Sequence, residues 1–125
     1  MLKSDAFYKI IPEANLDMDN TESCIKLMPL DISSGFTHVS FGRQVMGVVQ
    51  KFFKSAGLVL VVELDLDFLQ KQGIELRVES NKPGGEKYPH LYGVQKIPVY
   101  AVKRILRFKE QPDGSWTFLE SKEIK

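Results

Sequence analysis

Short apolar and alternating stretches dominate the chain and predict a protein built mainly of β-strands. FYKII (residues 7–11) is aromatic and β-branched and is stopped by Pro12, so it predicts a first strand. LVLVVELD (58–65) is a continuous apolar run, which predicts a central strand buried on both faces. IELRVE (74–79) alternates apolar and charged residues and predicts a half-buried strand. FTHVS (36–40) predicts a short strand with Phe36, His38 and Ser40 on one face.

A helix is predicted directly after this last strand. Ser40 is a suitable N-cap, and Gly57 predicts the end of the helix. Between them apolar residues recur at helical spacing, at Val45, Val48, Val49, Phe52 and Phe53. DLDFLQKQG (65–73) predicts one or two further helical turns, with Asp65 as cap and Gly73 as stop.

The remaining segments are predicted from their turn residues. Residues 13–28 fit neither period and predict a loop with room for a short helix, and residues 80–89 predict a glycine-rich loop. Residues 99–108 predict a long strand, QPDGS a hairpin turn and WTFL a returning strand. We expect the last residues, 120–125, to form a frayed tail.

Length and patterning together favour one α+β domain over residues 1–125, with its core at about residues 7–119. Strands outnumber helices and their connections are short. This favours a split mixed or antiparallel sheet with one main helix over a doubly wound sheet.

The charge balance narrows the classes of partner. Seventeen basic and sixteen acidic residues give a net charge of +1, so nucleic acid is not favoured as a partner. The longest apolar run is far shorter than the roughly 20 residues that cross a bilayer, and no membrane association is expected. The single cysteine, Cys24, and the absence of a signal-like N-terminus favour the cytoplasm.

The two histidines are the leading candidates for chemistry, since a histidine is easily tuned to act near neutral pH. His38 lies in GFTHVS and His90 in YPHLYG, and each has aromatic, glycine and hydroxyl neighbours that suit a pocket. The alternative is that both are buried residues satisfied by internal hydrogen bonds.

Carboxylates offer further candidates. Glu63 lies inside an apolar strand, so it must reach an edge, pair or change its pKa. Glu79 precedes the glycine-rich loop, where it is either a functional carboxylate or a solvated strand-end charge. No HxH, HxxxH or HExxH spacing occurs, so no metal is expected. The basic residues Lys103, Arg104, Arg107 and Lys109 could touch phosphates, but they are better explained as the solvated face of an edge strand.

FYKI, PLDISSGFTHVS, LVLVVELD, LRVE and YPHLYG occur in this order, and together they resemble the domain-of-unknown-function family numbered 952 over about residues 7–103. That family is similar to the ADP-ribosyltransferase fold, in particular to the RNA 2′-phosphotransferases. The resemblance implies that His38 and Ser40 are the His-x-Ser of a nucleotide pocket and Tyr8 its first-strand tyrosine. Lys9 then stands where many transferases have histidine or arginine, and Glu79 lies near their catalytic glutamate.

The expected function is a transferase-like protein whose pocket takes NAD, ADP-ribose or a related nucleotide, with NAD as substrate or ligand. His38, Glu79 and His90 are the predicted catalytic residues. The predicted ligand-binding residues are Tyr8, Lys9, Asp31, Ser40, Gln44 and Tyr92. The alternative is a non-catalytic module of the same fold that binds a small anion or a protein.

Overall fold

The structure is a computed structural model, and it describes residues 2–13, 18–19, 24–26, 28–80, 82–94 and 96–124. These residues form a mixed α+β fold with antiparallel sheets and few helices, as expected. The strands are β1 (Phe7–Pro12), β2 (Met18–Asp19), β3 (Cys24–Lys26), β4 (Thr37–His38), β5 (Ser40–Phe41), β6 (Leu58–Leu64), β7 (Glu75–Ser80), β8 (Lys87–Tyr92), β9 (Lys96–Pro98), β10 (Val102–Glu110) and β11 (Trp116–Glu123). The helices are α1 (Pro29–Ser34), α2 (Gly42–Phe52) and α3 (Leu66–Lys71).

Strand β6 is the centre of the largest sheet, whose order is β11-β10-β6-β1-β5. Its side chains alternate between two separate apolar clusters. Val59 and Val61 belong to the cluster that contains Val45 and Val49 of α2. Leu60, Val62 and Leu64 belong to the second cluster, with buried residues of α3, β8 and β9. The predicted burial of this strand on both faces is therefore confirmed.

Two smaller sheets, with the orders β4-β8-β7 and β2-β3-β9, complete the described part of the fold. In the first of them His38 lies directly opposite His90 in the antiparallel register. Strand β7 pairs along its whole length with β8, so Glu79 lies opposite Tyr88.

The prediction of one continuous strand over residues 36–40 is wrong. Strand β4 pairs with β8, whereas β5 pairs with β1 in the large sheet, where Ser40 lies opposite Tyr8. The chain changes sheets at Val39, which is 3% exposed and whose N–H donates to the carbonyl of Pro89. His38 and Ser40 thus belong to different sheets that meet at this point.

The main helix begins later than predicted. Ser40 is held in β5, so Phe41 is the N-cap, and the Gln44 side chain accepts a hydrogen bond from its N–H at 3.0 Å. The helix ends at the C-cap Phe53, and Gly57 lies in the following connection instead of capping it. Asp65, by contrast, caps α3 as predicted by accepting from the N–H of Phe68.

Other boundaries also differ from the predictions. Residues 13–28 contain β2 and β3 where they are described; residues 14–17, 20–23 and 27 lie outside the described part of the chain. Residues 99–101 form a 3₁₀ turn before β10. The expected frayed tail is wrong as far as Glu123, because β11 continues to this residue and pairs it with Arg104. The hairpin turn at 111–115 is confirmed, with Gln111 donating to the carbonyl of Ser115.

The basic residues of β10 do not lie on an edge strand, since β10 is paired with both β6 and β11. Arg104 forms an ion pair of 3.0 Å with Glu63, which is how the fold accommodates this buried carboxylate. Arg107 contacts Glu120 at 2.6 Å and Glu13 at 3.1 Å. Both arginines are therefore used within the fold. None of the helices in the described ranges is long and apolar enough to cross a membrane.

The first turn of α2 lies in close contact with the N-terminal segment, and this packing can be tested by mutation. A Cβ on Gly42 would lie 1.8 Å from the carbonyl oxygen of Lys3, whereas a Cβ on Gly47 of the same helix has no neighbour within 4 Å. We expect Gly42→Ala to lower the free energy of unfolding by about 1–3 kcal/mol, as overpacking does. We expect Gly47→Ala to raise it by about 0.5–1 kcal/mol through helix propensity. Urea unfolding of both variants is the measurement, and equal effects would contradict the packing at Gly42.

Candidate functional site

One large cavity of about 920 Å³ lies where the chain changes from one sheet to the other. Its lining comes from β1, α1, the segment 36–40, α2 and the β7–β8 hairpin. Most of the predicted site residues are part of this lining, namely Lys9, Asp31, His38, Ser40, Glu79, His90 and Tyr92. A large share of the remaining lining is apolar and includes Met28, Leu30, Val48, Phe52 and Phe53.

The first polar group of the cavity is centred on the carboxylate of Asp31. Its Oδ2 lies 2.7 Å from Nζ of Lys9, and its Oδ1 lies 2.9 Å from Nδ1 of His38. The same Oδ1 also accepts from the backbone N–H of His38 at 2.9 Å. Lys9 in turn donates to the carbonyl of His38 at 3.1 Å. The three residues therefore fix one another, and the His38 ring is held by one edge.

Local sequence explains how Asp31 reaches this place. Asp31 is the third residue of α1, which begins at Pro29, and its carboxylate accepts from the N–H of Met28 at 3.2 Å. Helix starts favour such an acidic residue because their first N–H groups have no partner within the helix. Gly35, with φ +80°, ends the helix and turns the chain towards His38. Carboxylate and imidazole are thus brought together by one short helix.

Asp31 is ionised in this environment. Burial by itself would raise the pKa of the carboxyl, but the hydrogen bonds from His38 and the charge of Lys9 outweigh it and hold the pKa at about 2. For Lys9, burial is the largest influence and lowers the pKa of the ammonium, against the attraction of Asp31. The two side chains are 5% and 1% exposed, so this is a buried pair.

The second polar group lies on the β7–β8 hairpin. Oε1 of Glu79 lies 3.0 Å from Nδ1 of His90 and accepts a hydrogen bond from the hydroxyl of Tyr92. The hydrogen bond from Tyr92, followed by that from His90, lowers the pKa of Glu79. The same bond raises the pKa of Tyr92. Glu79 is therefore an ionised carboxylate at neutral pH, and its side chain is 37% exposed.

Phe36 connects the two groups. Its ring stacks on His90 with the centroids 4.1 Å apart and an interplanar angle of 24°. It also contacts His38 at 4.6 Å and Tyr92 at 5.3 Å between ring centroids. The ring centroids of His38 and His90 are 5.7 Å apart, so both carboxylate–histidine pairs lie at the same part of the cavity.

Two predicted site residues lie outside the cavity lining. Tyr8 is next to Lys9 in β1, and successive strand residues point to opposite faces, so its ring packs in the cluster with α2. Its hydroxyl donates to Glu63 at 3.3 Å. Gln44 is used within the fold: besides the bond to Phe41 already described, its amide donates to Glu86 and to the carbonyl of Lys87. Neither position supports the predicted ligand contact.

The sequence-based predictions missed several lining residues. Phe36 is predicted to lie on the same face as His38, and this i, i+2 relation indicates its contact with the site. Val48 and Phe53 belong to the predicted apolar stripe, and Lys54 follows it; all three line the cavity, although none is a predicted site residue. Their approach to the cavity depends on how α2 lies against the sheets, which no local pattern gives.

Within the described ranges, no group of three or more histidine, cysteine, aspartate or glutamate side chains is arranged to hold a metal ion. The polar groups instead pair each histidine with one carboxylate. Such an arrangement fixes which ring nitrogen carries the proton.

The protein is therefore of the α+β class and has a cavity where two of its sheets meet. Residues 10–105 match the model of a family described as a protein of unknown function, DUF952, and the chain belongs to this family. The fold is similar to the X-ray crystal structure of protein CC0527 from Caulobacter crescentus, with 25% sequence identity and a TM-score of 0.71. The match covers 89% of this chain and 92% of that chain. A double mutant of the same bacterial protein matches with a TM-score of 0.69. No curated protein matches the chain.

The Asp31 group provides a test of stability. Replacing Asp31 by Asn leaves the buried Lys9 without its counter-charge, and loss of one partner of a buried pair costs about 3–5 kcal/mol. A double-mutant cycle with Lys9→Met isolates the pair: we expect the double variant to be more stable than the sum of the two single losses implies. Additive losses in urea unfolding would contradict a coupled pair.

The same variant gives a pH dependence. The pKa of Asp31 is lowered from 3.8 to about 2, so its stabilisation is complete above about pH 4 and lost as the pH falls towards 2. Over this range the difference in the free energy of unfolding between the native protein and Asp31→Asn should shrink by about 2 kcal/mol. A difference that stays constant from pH 5 to pH 2 would contradict the ionised Asp31.

Proposed function

We propose that the cavity binds NAD, ADP-ribose or a related nucleotide, and that the protein is an ADP-ribosyltransferase-like transferase. The observation that supports this most is the convergence of two carboxylate–histidine pairs on one cavity of about 920 Å³. Ligand pockets typically measure about 300–1,000 Å³, so this cavity accommodates a long ligand with two parts.

Glu79 is the residue suited to stabilise a developing positive charge. It is ionised and lines the cavity. Its two hydrogen-bond donors are the Tyr92 hydroxyl and the His90 ring, and neither brings a positive charge when the ring is neutral. When the bond between ribose and nicotinamide breaks, its electron pair leaves with the nicotinamide and positive charge develops on the ribose. A carboxylate fixed beside that position stabilises the charge without having to reorganise.

His38 is suited to accept a proton or a hydroxyl hydrogen bond. Because Asp31 is ionised, it accepts the proton of Nδ1–H, and the lone pair of the neutral ring then lies on Nε2. In the transfer step an acceptor molecule forms a bond to the ribose carbon that the nicotinamide leaves, and Nε2 takes the proton that the acceptor loses. His90 and Tyr92 orient Glu79 from the neighbouring strand.

The apolar half of the cavity suits the base of a nucleotide. Met28, Val48 and Phe53 supply apolar surface, and Lys54 adds an exposed ammonium to the lining. Aromatic and aliphatic walls with a few placed polar groups are typical of such pockets. Base and phosphate would therefore lie on the α2 side, with the ribose towards the histidines.

A non-catalytic binding module of the same fold is the second candidate, and Lys9 favours it. At the position where many transferases hold the nicotinamide ribose with histidine or arginine, the Lys9 ammonium is already bound to Asp31 and to the carbonyl of His38. Its donors are committed within the protein. Under this alternative the pocket binds its ligand and leaves it unchanged.

The first test is binding. NAD and ADP-ribose at millimolar concentration should raise the melting temperature, and His38→Ala should weaken binding about tenfold, the loss of about one hydrogen bond. Tyr8→Phe is the matched control, because the Tyr8 hydroxyl lies on the opposite face of β1. The affinity of this variant for both nucleotides should be unchanged. Absence of any shift with either nucleotide would remove the proposal.

The second test separates the two candidates by turnover. We expect the pure protein to release nicotinamide from NAD, and Glu79→Gln to slow the release about a hundredfold, as for the loss of one electrostatic group in an active site. Glu75→Gln is the control, since Glu75 is exposed on the same strand and does not line the cavity. Binding without nicotinamide release in the native protein would select the binding module.

A further inference from the structure

One oxygen of the Glu79 carboxylate takes no part in the internal bonds of the site. Both hydrogen bonds that hold this carboxylate, from Nδ1 of His90 and from the hydroxyl of Tyr92, end on Oε1. Oε2 has no partner among the described residues, and it is not one of their buried unpartnered atoms. Glu79 lines the cavity, and its side chain is 37% exposed. Oε2 is therefore a solvent-accessible acceptor on a residue of the cavity wall.

Asp31, the other carboxylate of the described lining, has both oxygens engaged within the protein. Its Oδ1 accepts from the backbone and the ring of His38. Its Oδ2 accepts from Nζ of Lys9 and from the N–H of Met28. A ligand that enters the cavity therefore finds its available carboxylate oxygen at Glu79 and not at Asp31.

The charge of Glu79 is not compensated by a basic side chain in the described ranges. The hydrogen bond from Tyr92 is the main reason that the pKa of Glu79 is lowered, so the carboxyl is ionised at neutral pH. Arg77, two residues earlier on β7, is paired with Glu75 at 2.7 Å and lies over the Tyr92 ring at 4.3 Å. An uncompensated carboxylate attracts a cation more strongly in a partly enclosed cavity than in open water, because the effective dielectric constant is lower there.

The residues around Glu79 suit an organic cation better than a metal ion. Tyr88 lies directly opposite Glu79 in the β7–β8 pair, and side chains in such positions share one face of the sheet. Tyr88, Tyr92 and Phe36 all line the cavity. Aromatic rings attract ammonium and guanidinium groups. A metal ion needs several ligand atoms, and no group of three or more acidic, histidine or cysteine side chains is arranged for one in the described part of the chain.

We propose that Oε2 of Glu79 binds an organic cation that carries N–H groups, a protonated amine or a guanidinium, so that the cavity selects cationic ligands. The cation donates an N–H to Oε2, and the neighbouring aromatic residues supply apolar contact. A hydrogen bond between two ionised groups is roughly twice as strong as a neutral one, so a neutral alcohol and a quaternary ammonium are both disfavoured. This inference rests on the cavity and not on the binding or turnover of a nucleotide.

Three probes with the same benzyl body test the cation site. Benzylamine is a cation with N–H donors, benzyltrimethylammonium is a cation without them, and benzyl alcohol is a neutral donor. We expect benzylamine to bind about tenfold more tightly than either of the others, as measured by calorimetry and by NMR titration of the β7 and β8 amides. Equally tight binding of benzyl alcohol would show that the charge is not used, and equally tight binding of benzyltrimethylammonium that the N–H is not used. Either result, or no binding of benzylamine, overturns the proposal.

Glu79→Gln is the matching variant, because it removes the charge and keeps an oxygen that can accept from His90 and Tyr92. We expect it to fold and to bind benzylamine about tenfold more weakly, with little change in the binding of benzyl alcohol. Glu75→Gln is the control, since Glu75 is exposed on the same strand and does not line the cavity, and its binding of benzylamine should be unchanged. Unchanged binding in Glu79→Gln, or an equal loss in Glu75→Gln, would contradict the cation site.

The same measurements separate this site from the proposed function. If the native protein binds NAD but not benzylamine, only the cation site fails. If it binds benzylamine but no nucleotide, the proposed function fails and the cation site stands. A lysine blocked at both ends, acetyl-lysine methylamide, identifies the source of the cation: binding as tight as that of benzylamine indicates a protein side chain, and weaker binding indicates a free amine.

Discussion

The buried carboxylate of Asp31 is the interaction on which the site depends. It accepts hydrogen bonds from the side chain of Lys9, from both the backbone and the ring of His38, and from the N–H of Met28. These donors belong to β1, β4 and the start of α1, so one side chain joins three elements. A buried carboxylate is costly unless it is paired and hydrogen-bonded, and here both conditions are met. The orientation of His38 is a consequence of this arrangement.

The change of sheet at Val39 explains why the polar groups meet. Strand β4 carries His38 into the sheet with His90, and β5 carries Ser40 into the sheet with β1. The cavity lies at this junction and is lined by residues of both sheets, by Lys9 and Ser40 from one and by His38 and His90 from the other. A continuous strand over residues 36–40 would have left His38 and Ser40 in one sheet and removed the junction.

Sequence predicted the parts of the fold that local pattern controls. The apolar run of β6, the cap at Asp65 and the hairpin at 111–115 each carry their own signal, and seven of the nine predicted site residues line the cavity. The element boundaries that were predicted wrongly depend on long-range pairing. Ser40 could not be assigned to β5 without knowing that it pairs with Tyr8, and the contacts of Gln44 to Glu86 and Lys87 are likewise long-range. The opposite faces of Tyr8 and Lys9 follow from strand geometry, because successive side chains of a strand point to opposite faces.

The two carboxylates of the cavity differ in burial and in charge pairing. Asp31 has a lysine as counter-charge and is almost completely buried, so it holds His38 in place and adds no net charge to the wall. Glu79 is ionised through hydrogen bonds from Tyr92 and His90, is partly exposed and has no lysine or arginine in ion-pairing contact within the described ranges. The pKa values of both carboxyls are lowered, so the two groups differ in charge pairing and exposure and not in protonation state. Glu79 is therefore the carboxylate of the lining without a lysine or arginine partner among the described residues, and any positive charge on a ligand, whether permanent or formed during a reaction, is stabilised most beside the β7–β8 hairpin.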